Sequence, residues 1–290
     1  MSLTLLMIAT LTAALMVSIL RKNISKNSNG VHTCLIYNLI ISATAIIILL
    51  FMGIGRASLF TLLLAMLFGL TIFSQQLSYI KALETGSFSY TTIITSLAML
   101  IPSFSGAILW GEVLSWGKLA GVVFMIPTII LSVNRNKNTP PTSTEKGWLM
   151  WCGAAFLCGG LVGVIQKLHQ KSPHKGESNE FLWFSFIFCF VYALAILLIT
   201  KKRTKPQSHR LSGGVIIMMI LAGAFYTANH CLNLYLSGKI DSIIFFPAVN
   251  GGGLLLTLLS AAIIFKERLT LRQCIGIGCG IISILLIFFF

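Results

Sequence analysis

Residues 111–121 read Gly111-Glu112-Val113-Leu114-Ser115-Trp116-Gly117-Lys118-Leu119-Ala120-Gly121, and 155 residues further on the chain reads Lys266-Glu267-Arg268-Leu269-Thr270-Leu271-Arg272-Gln273-Cys274-Ile275-Gly276. At that single offset, without a gap, Glu112 falls on Glu267, Leu114 on Leu269, Ser115 on Thr270 and Gly121 on Gly276. Ser87 falls likewise on Ser242, and Ser105 on Ser260. Each match is weak alone, but together they mark an internal duplication, which decides how every other segment is assigned. The longest polar break, Asn134 to Gly147 with Pro140-Pro141 inside it, lies near mid-chain and separates residues 1–138 from residues 139–290.

Both copies are built from apolar runs. The 290-residue chain is 56% hydrophobic and only 10% charged, with a mean hydropathy of +0.91. So few charges could not cover a water-facing surface. The expected spans are 3–20, 31–51, 57–80, 88–110, 116–133, 148–168, 180–200, 212–236, 243–265 and 270–289, each long enough to cross roughly 30 Å of hydrocarbon as a helix. Five spans per half is an odd number, so the second copy enters the membrane in the opposite sense to the first. The expected fold is therefore an all-α membrane protein of ten transmembrane helices in two inverted five-helix repeats. The first run starts almost at Met1 without a basic segment before it and reads as a span, not a removable signal.

The formal charge of +14 lies in short Lys and Arg clusters between apolar runs. That is the pattern of topology signals and argues against nucleic acid as a partner. Connections after odd-numbered spans carry 15 Lys and Arg, against 6 for the even connections and termini. By that count both termini lie outside. The seven Cys fall inside expected helices without a CxxC pair and read as buried reduced thiols. The pairs Gly117/Gly121, Gly159/Gly163 and Gly276/Gly280 each put two small residues on one helix face, as close packing needs.

All seven acidic residues fall in connections or at span ends, so no carboxylate is expected at mid-membrane and none of the His, Cys and Glu are spaced as a metal site. Glu112 and Glu267 read as local capping, turn and interfacial groups beside the N-caps Ser115 and Thr270, the latter opening the capping box Thr270-Leu271-Arg272-Gln273. The polar groups inside the membrane repeat. Ser74, Gln75 and Ser78 lie over Asn229, His230 and Asn233 at the same offset, and Thr95 lies over Asn250. These eight residues are the candidate substrate-binding set, lining a central cavity, with hydrogen bonding to a neighbouring helix as the alternative for any one of them. Gln75 and His230 stand out, because long polar side chains cost most when left unpaired in lipid. Asn250-Gly251-Gly252-Gly253, just after Pro247, marks a weak point in its helix, and Pro102 and Pro127 invite kinks.

The segments Tyr79-Ile80-Lys81-Ala82-Leu83 leading to Gly111-Glu112-Val113-Leu114, and Phe265-Lys266-Glu267-Arg268-Leu269-Thr270 leading to Gly276, resemble the two halves of EamA-type carriers of the drug/metabolite transporter superfamily. The resemblance implies a secondary active transporter working by alternating access on amino acids, nucleosides or amphipathic compounds, most often an exporter in the cytoplasmic membrane, and not an enzyme. It also implies cytoplasmic termini, opposite to the charge count, and the family arrangement is preferred. The Trp-Gly pair of many relatives is missing from the first span, and Tyr37-Asn38 stands where an Arg is usual in the second. Expected partners are a small-molecule substrate and membrane lipid, with a homodimer left open and no cofactor or metal. The alternatives are a non-transporting membrane subunit and a membrane enzyme acting on lipid-linked substrates.

Overall fold

In a lipid interior, backbone N–H and C=O groups find partners only within the protein, which leaves an apolar chain the helix as its local solution. A computed structural model describes residues 3–27, 31–85, 88–132, 145–201, 212–263 and 270–289. Among the described residues every regular element is helical. In chain order they are α1 (Leu3–Asn27), α2 (Val31–Phe51), α3 (Leu59–Thr85), α4 (Phe88–Ser96), α5 (Leu100–Trp110), α6 (Trp116–Ser132), α7 (Glu145–Lys171), α8 (Ser178–Lys201), α9 (Gly213–Ser237), α10 (Ser242–Ile263) and α11 (Leu271–Phe289). Among the described residues seven stretches are long and apolar enough to cross a membrane, and Trp116–Leu131, Ser242–Leu256 and Leu271–Ile287 are shorter apolar helices.

The helix bounds depart from the expected spans where charge and proline act. α1 runs on to Asn27, through Arg21-Lys22-Asn23, and α7 extends beyond 148–168 at both ends. Lys and Arg are good helix formers, so a basic cluster marks where hydrocarbon ends and the helix continues past it. The fourth span is broken: α4 and α5 are joined by a single 3-10 turn, Leu97–Met99. Pro102 lacks the N–H that would bond to the Ala98 carbonyl, which favours the tighter turn at that point. By contrast α6 and α10 run through Pro127 and Pro247, and α10 stays helical across Asn250-Gly251-Gly252-Gly253.

Packing follows the duplication. Let α1 correspond to α7, α2 to α8, α3 to α9, the α4–α5 rod to α10, and α6 to α11. Then α3 against α7 maps onto α9 against α1, and α3 against α8 onto α9 against α2. The pairs α2–α8, α5–α10 and α6–α11 map onto themselves. The largest core, built around Phe68, Phe181 and Phe186, fills the space where α2, α3 and α8 meet. The outer faces present Leu, Ile and Phe side chains such as Leu63, Ile108 and Leu198, as a surface solvated by lipid requires.

Glycines allow the closest helix approaches. A Cβ on Gly69 of α3 would overlap the Ser185 carbonyl of α8, and one on Gly163 of α7 would come within 2.7 Å of both Phe246 and Pro102. On α6 a Cβ at Gly121 would lie 2.9 Å from the Ser283 carbonyl of α11, while the Ser283 hydroxyl donates to the Gly121 carbonyl at 2.6 Å. The cysteines are all free thiols, with Cys34, Cys152 and Cys189 buried, Cys158, Cys231 and Cys279 half-buried, and Cys274 exposed on α11. The uniform burial expected of them is therefore corrected: among the described residues Cys274 lies on an exposed face of α11.

Gly69→Ala is expected to cost about 1–3 kcal/mol by overpacking. Gly153→Ala, on the same scale, should be neutral or stabilising by up to about 1 kcal/mol, because nothing lies within 4 Å of the new Cβ. Thermal unfolding of the two purified variants beside the parent checks the difference.

Candidate functional site

Midway along the helices, where α3, the α4–α5 rod, α7, α9 and α10 surround a common space, lies a cavity of about 350 Å³. Six of the eight sequence-derived candidates line it: Gln75, Thr95, Asn229, His230, Asn233 and Asn250. Ser74 and Ser78 are not in the lining. On α3 the cavity face carries Ile72 and Gln75, three residues apart, and at about 100° per residue the Ser74/Ser78 face points elsewhere. Ser78 is buried and Ser74 half-buried.

The lining groups are positioned by one another. Asn233 donates to Asn229 Oδ1 at 2.8 Å, one helical turn away on α9, and Asn229 donates to the Thr10 carbonyl of α1 at 3.0 Å. His230 Nδ1 lies 3.2 Å from Gln166 Nε2 on α7. Its ring is enclosed by Tyr226, Phe68 and Phe186, with Tyr226 at 4.4 Å between centroids. Asn250 and Thr95 bond within their own helices, to the Phe246 and Thr91 carbonyls. Behind Tyr226, Gln76 donates to its hydroxyl at 3.3 Å. None of the described residues lining the cavity is charged. A solute there meets amides, hydroxyls, an imidazole and aromatic rings.

Gln166 and Tyr226 were missed by the sequence reading. Gln166 carried a usable signal, a long polar side chain inside an expected span, but it has no partner at the 155-residue offset that drew attention to the others.

Glu112 requires a correction. It is not a local cap: its side chain is 7% exposed and its carboxylate bonds to the other half of the chain. Gly111 ends α5 in the left-handed conformation, φ 64°, which glycine adopts without penalty, and turns the following residue back over the helix. Glu112 then accepts Lys167 Nζ at 2.7 Å, with Lys167 only 1% exposed, and the Ser242 backbone N–H at 2.6 Å. Lys167 also donates to the Ile240 carbonyl at 2.8 Å. The carboxylate fits only because Gly106 has no Cβ to overlap it. Ser115 caps α6 as expected, accepting from Lys118 N–H at 3.2 Å. The Thr270 box also forms, with Thr270 N–H to Gln273 Oε1 at 2.9 Å and Gln273 N–H to Thr270 Oγ1 at 3.3 Å. Glu267 lies outside the described residues.

Comparison with known proteins agrees with this architecture. Residues 146–289 match the model of the EamA-like transporter family, so the second half of the chain carries that family's pattern. The match points to a membrane transporter. Over 209 residues the chain is 22% identical to an uncharacterized protein of Haemophilus influenzae, covering 72% of this chain and 69% of that one. It is 32% identical over 116 residues to adenosine 3'-phospho 5'-phosphosulfate transporter 2 of Caenorhabditis elegans, covering 37% of this chain and 31% of that transporter. A solved structure described only as the crystal structure of a protein superposes with a TM-score of 0.74 over 98% of both chains at 14% identity, which shows a shared fold.

Gln166→Leu leaves His230 without its amide partner and is expected to destabilise the protein by about 1–3 kcal/mol. Asn250→Leu, whose amide bonds only a carbonyl of its own helix, should cost well under half of that. Apparent melting temperatures of the two variants test the ordering.

Proposed function

We propose that this protein is a secondary carrier with ten spans arranged as two inverted five-helix repeats, residues 1–138 and 139–290, which moves a small polar or amphipathic metabolite across the cytoplasmic membrane by alternating access. The observation that carries the reading is the convergence, from both halves, of Gln75, Thr95, Asn229, His230, Asn233 and Asn250 on one uncharged central cavity. The exchange of packing partners between halves supports the repeat arrangement, since a carrier built this way can open to each side by tilting one half against the other. Family resemblance favours export as the direction.

The cavity also bears on the class of solute. The nematode relative is named for a nucleotide phosphosulfate, a multiply charged anion that needs cationic partners when taken from water. Among the described residues the cavity lining has no charged side chain, and Lys167, beyond it, is already bonded to Glu112. This favours a neutral or zwitterionic solute, an amino acid or nucleoside among the candidates, recognised by amide and hydroxyl hydrogen bonds.

Two measurements test the proposal. In a thermal-shift screen of amino acids, nucleosides, sugars and phosphorylated nucleotides, a neutral or zwitterionic compound is expected to raise the apparent melting temperature, a ligand at a hundred times its Kd contributing about 2.7 kcal/mol. Stabilisation by phosphorylated nucleotides alone would contradict the solute class. In proteoliposomes, Gln75→Leu with His230→Leu should abolish transport of that compound while leaving the protein folded. Unchanged transport would remove the site assignment.

A further inference from the structure

Alternating access requires each end of the cavity to be shut by contacts that separate later. At the end formed by the connections 111–115, 172–177 and 238–241, the contact next to the cavity is an ionic one. Gln166 lines the cavity and the next residue is Lys167. Phe246 lines it too, and Ser242, one turn earlier on α10, donates its N–H to Glu112. The cluster therefore sits directly beyond the cavity, with Glu112 from the first half and Lys167, Ile240 and Ser242 from the second.

We propose that Glu112, Lys167 and Ser242 form the latch that keeps this face of the carrier closed, and that the face opens by parting Glu112 from the other two. As a permanent tie the arrangement is a poor choice, because removing both charges from water costs about as much as their attraction returns, and packed apolar residues would serve as well. As a separable contact it suits the task. Once water enters the opening mouth, both charges are hydrated and the attraction between them is screened, whereas a parted apolar seal would leave its surface exposed. The carboxylate stands on a glycine turn with Gly106 beneath it, and its own hold on α7 is the ionic bond to Lys167, beside the close α5–α7 contacts of Ile101 at Gly160 and Pro102 at Gly163. Lys118 and Asp241, 3.6 Å apart and more exposed, continue the same seam outward. Other cross-half bonds at this end, Glu177 to Ser58 and Glu180 to Gly55, join residues that do not line the cavity.

The proposal rests on the carrier reading, but its test needs no substrate. Spin labels are attached at Val113→Cys and Lys239→Cys, both exposed positions flanking the latch, with native cysteines replaced, and the distance between them is measured in lipid nanodiscs. Glu112→Gln removes the charge. Ser242→Pro removes the N–H and hydroxyl given to Glu112 while keeping a residue well suited to the first position of a helix, and so decides the matter if the first variant does not fold. Each is expected to raise the population of the longer distance about tenfold or more, since each weakens at least one charge-assisted hydrogen bond of Glu112. A distance distribution identical to the parent in Ser242→Pro, with only the melting temperature lowered, would overturn the latch and leave a static tie. A shift in distance from a protein that moves no solute in the proteoliposome assay would instead count against the carrier reading alone.

Discussion

Everything in this protein follows from the cost of an unpaired polar group in a medium without water. The backbone meets that cost by helix formation, and side chains meet it by bonding one another across helices. Glycine contacts such as Gly69 on Ser185 and Gly121 on Ser283 bring backbones together, and two groups of polar side chains stand out: a neutral set around the cavity at mid-depth and an ionic cluster at one end. Their separation is chemically sensible. A charge beside the solute would dominate recognition, whereas a charge near the surface has water within reach whenever the helices part.

The cavity is assembled from groups that already satisfy one another. Asn229 reaches α1, Asn233 reaches Asn229, and His230 meets Gln166. Each amide keeps further donor or acceptor capacity for a solute, since Asn and Gln offer two donors and two lone pairs. In the proposed carrier one Asn229 amide would serve both as a tie to α1 and as a partner for the solute.

How much of this was legible in the sequence depended on range and phase. Among the described residues seven of the expected spans recur as helices long and apolar enough to cross, because hydrocarbon thickness fixes that length, and α2 was located at 31–51 end to end. The Thr270–Gln273 box was readable because its partners are three residues apart. Gln75 and His230 were found through the internal offset. Ser74 and Ser78 were misplaced because a helix that is apolar all round gives no phase from which to tell its cavity face. The Glu112–Lys167 pair was invisible because its members are 55 residues apart and neither shows, locally, that it is buried. A carboxylate at a span end looks interfacial until tertiary structure covers it.

The break between α4 and α5 has a consequence for the energetics of the proposed cycle. Two identical inverted halves would give a molecule whose inward and outward conformations are mirror exchanges of one another and equal in energy. Here the α4–α5 rod is interrupted at Leu97–Met99, while its counterpart α10 is continuous through Pro247 and three glycines. Tilting one half therefore bends a rod with a preformed joint, and tilting the other bends a rod without one. In the proposed cycle the two resting states would then be unequal in energy, and the carrier would favour one facing.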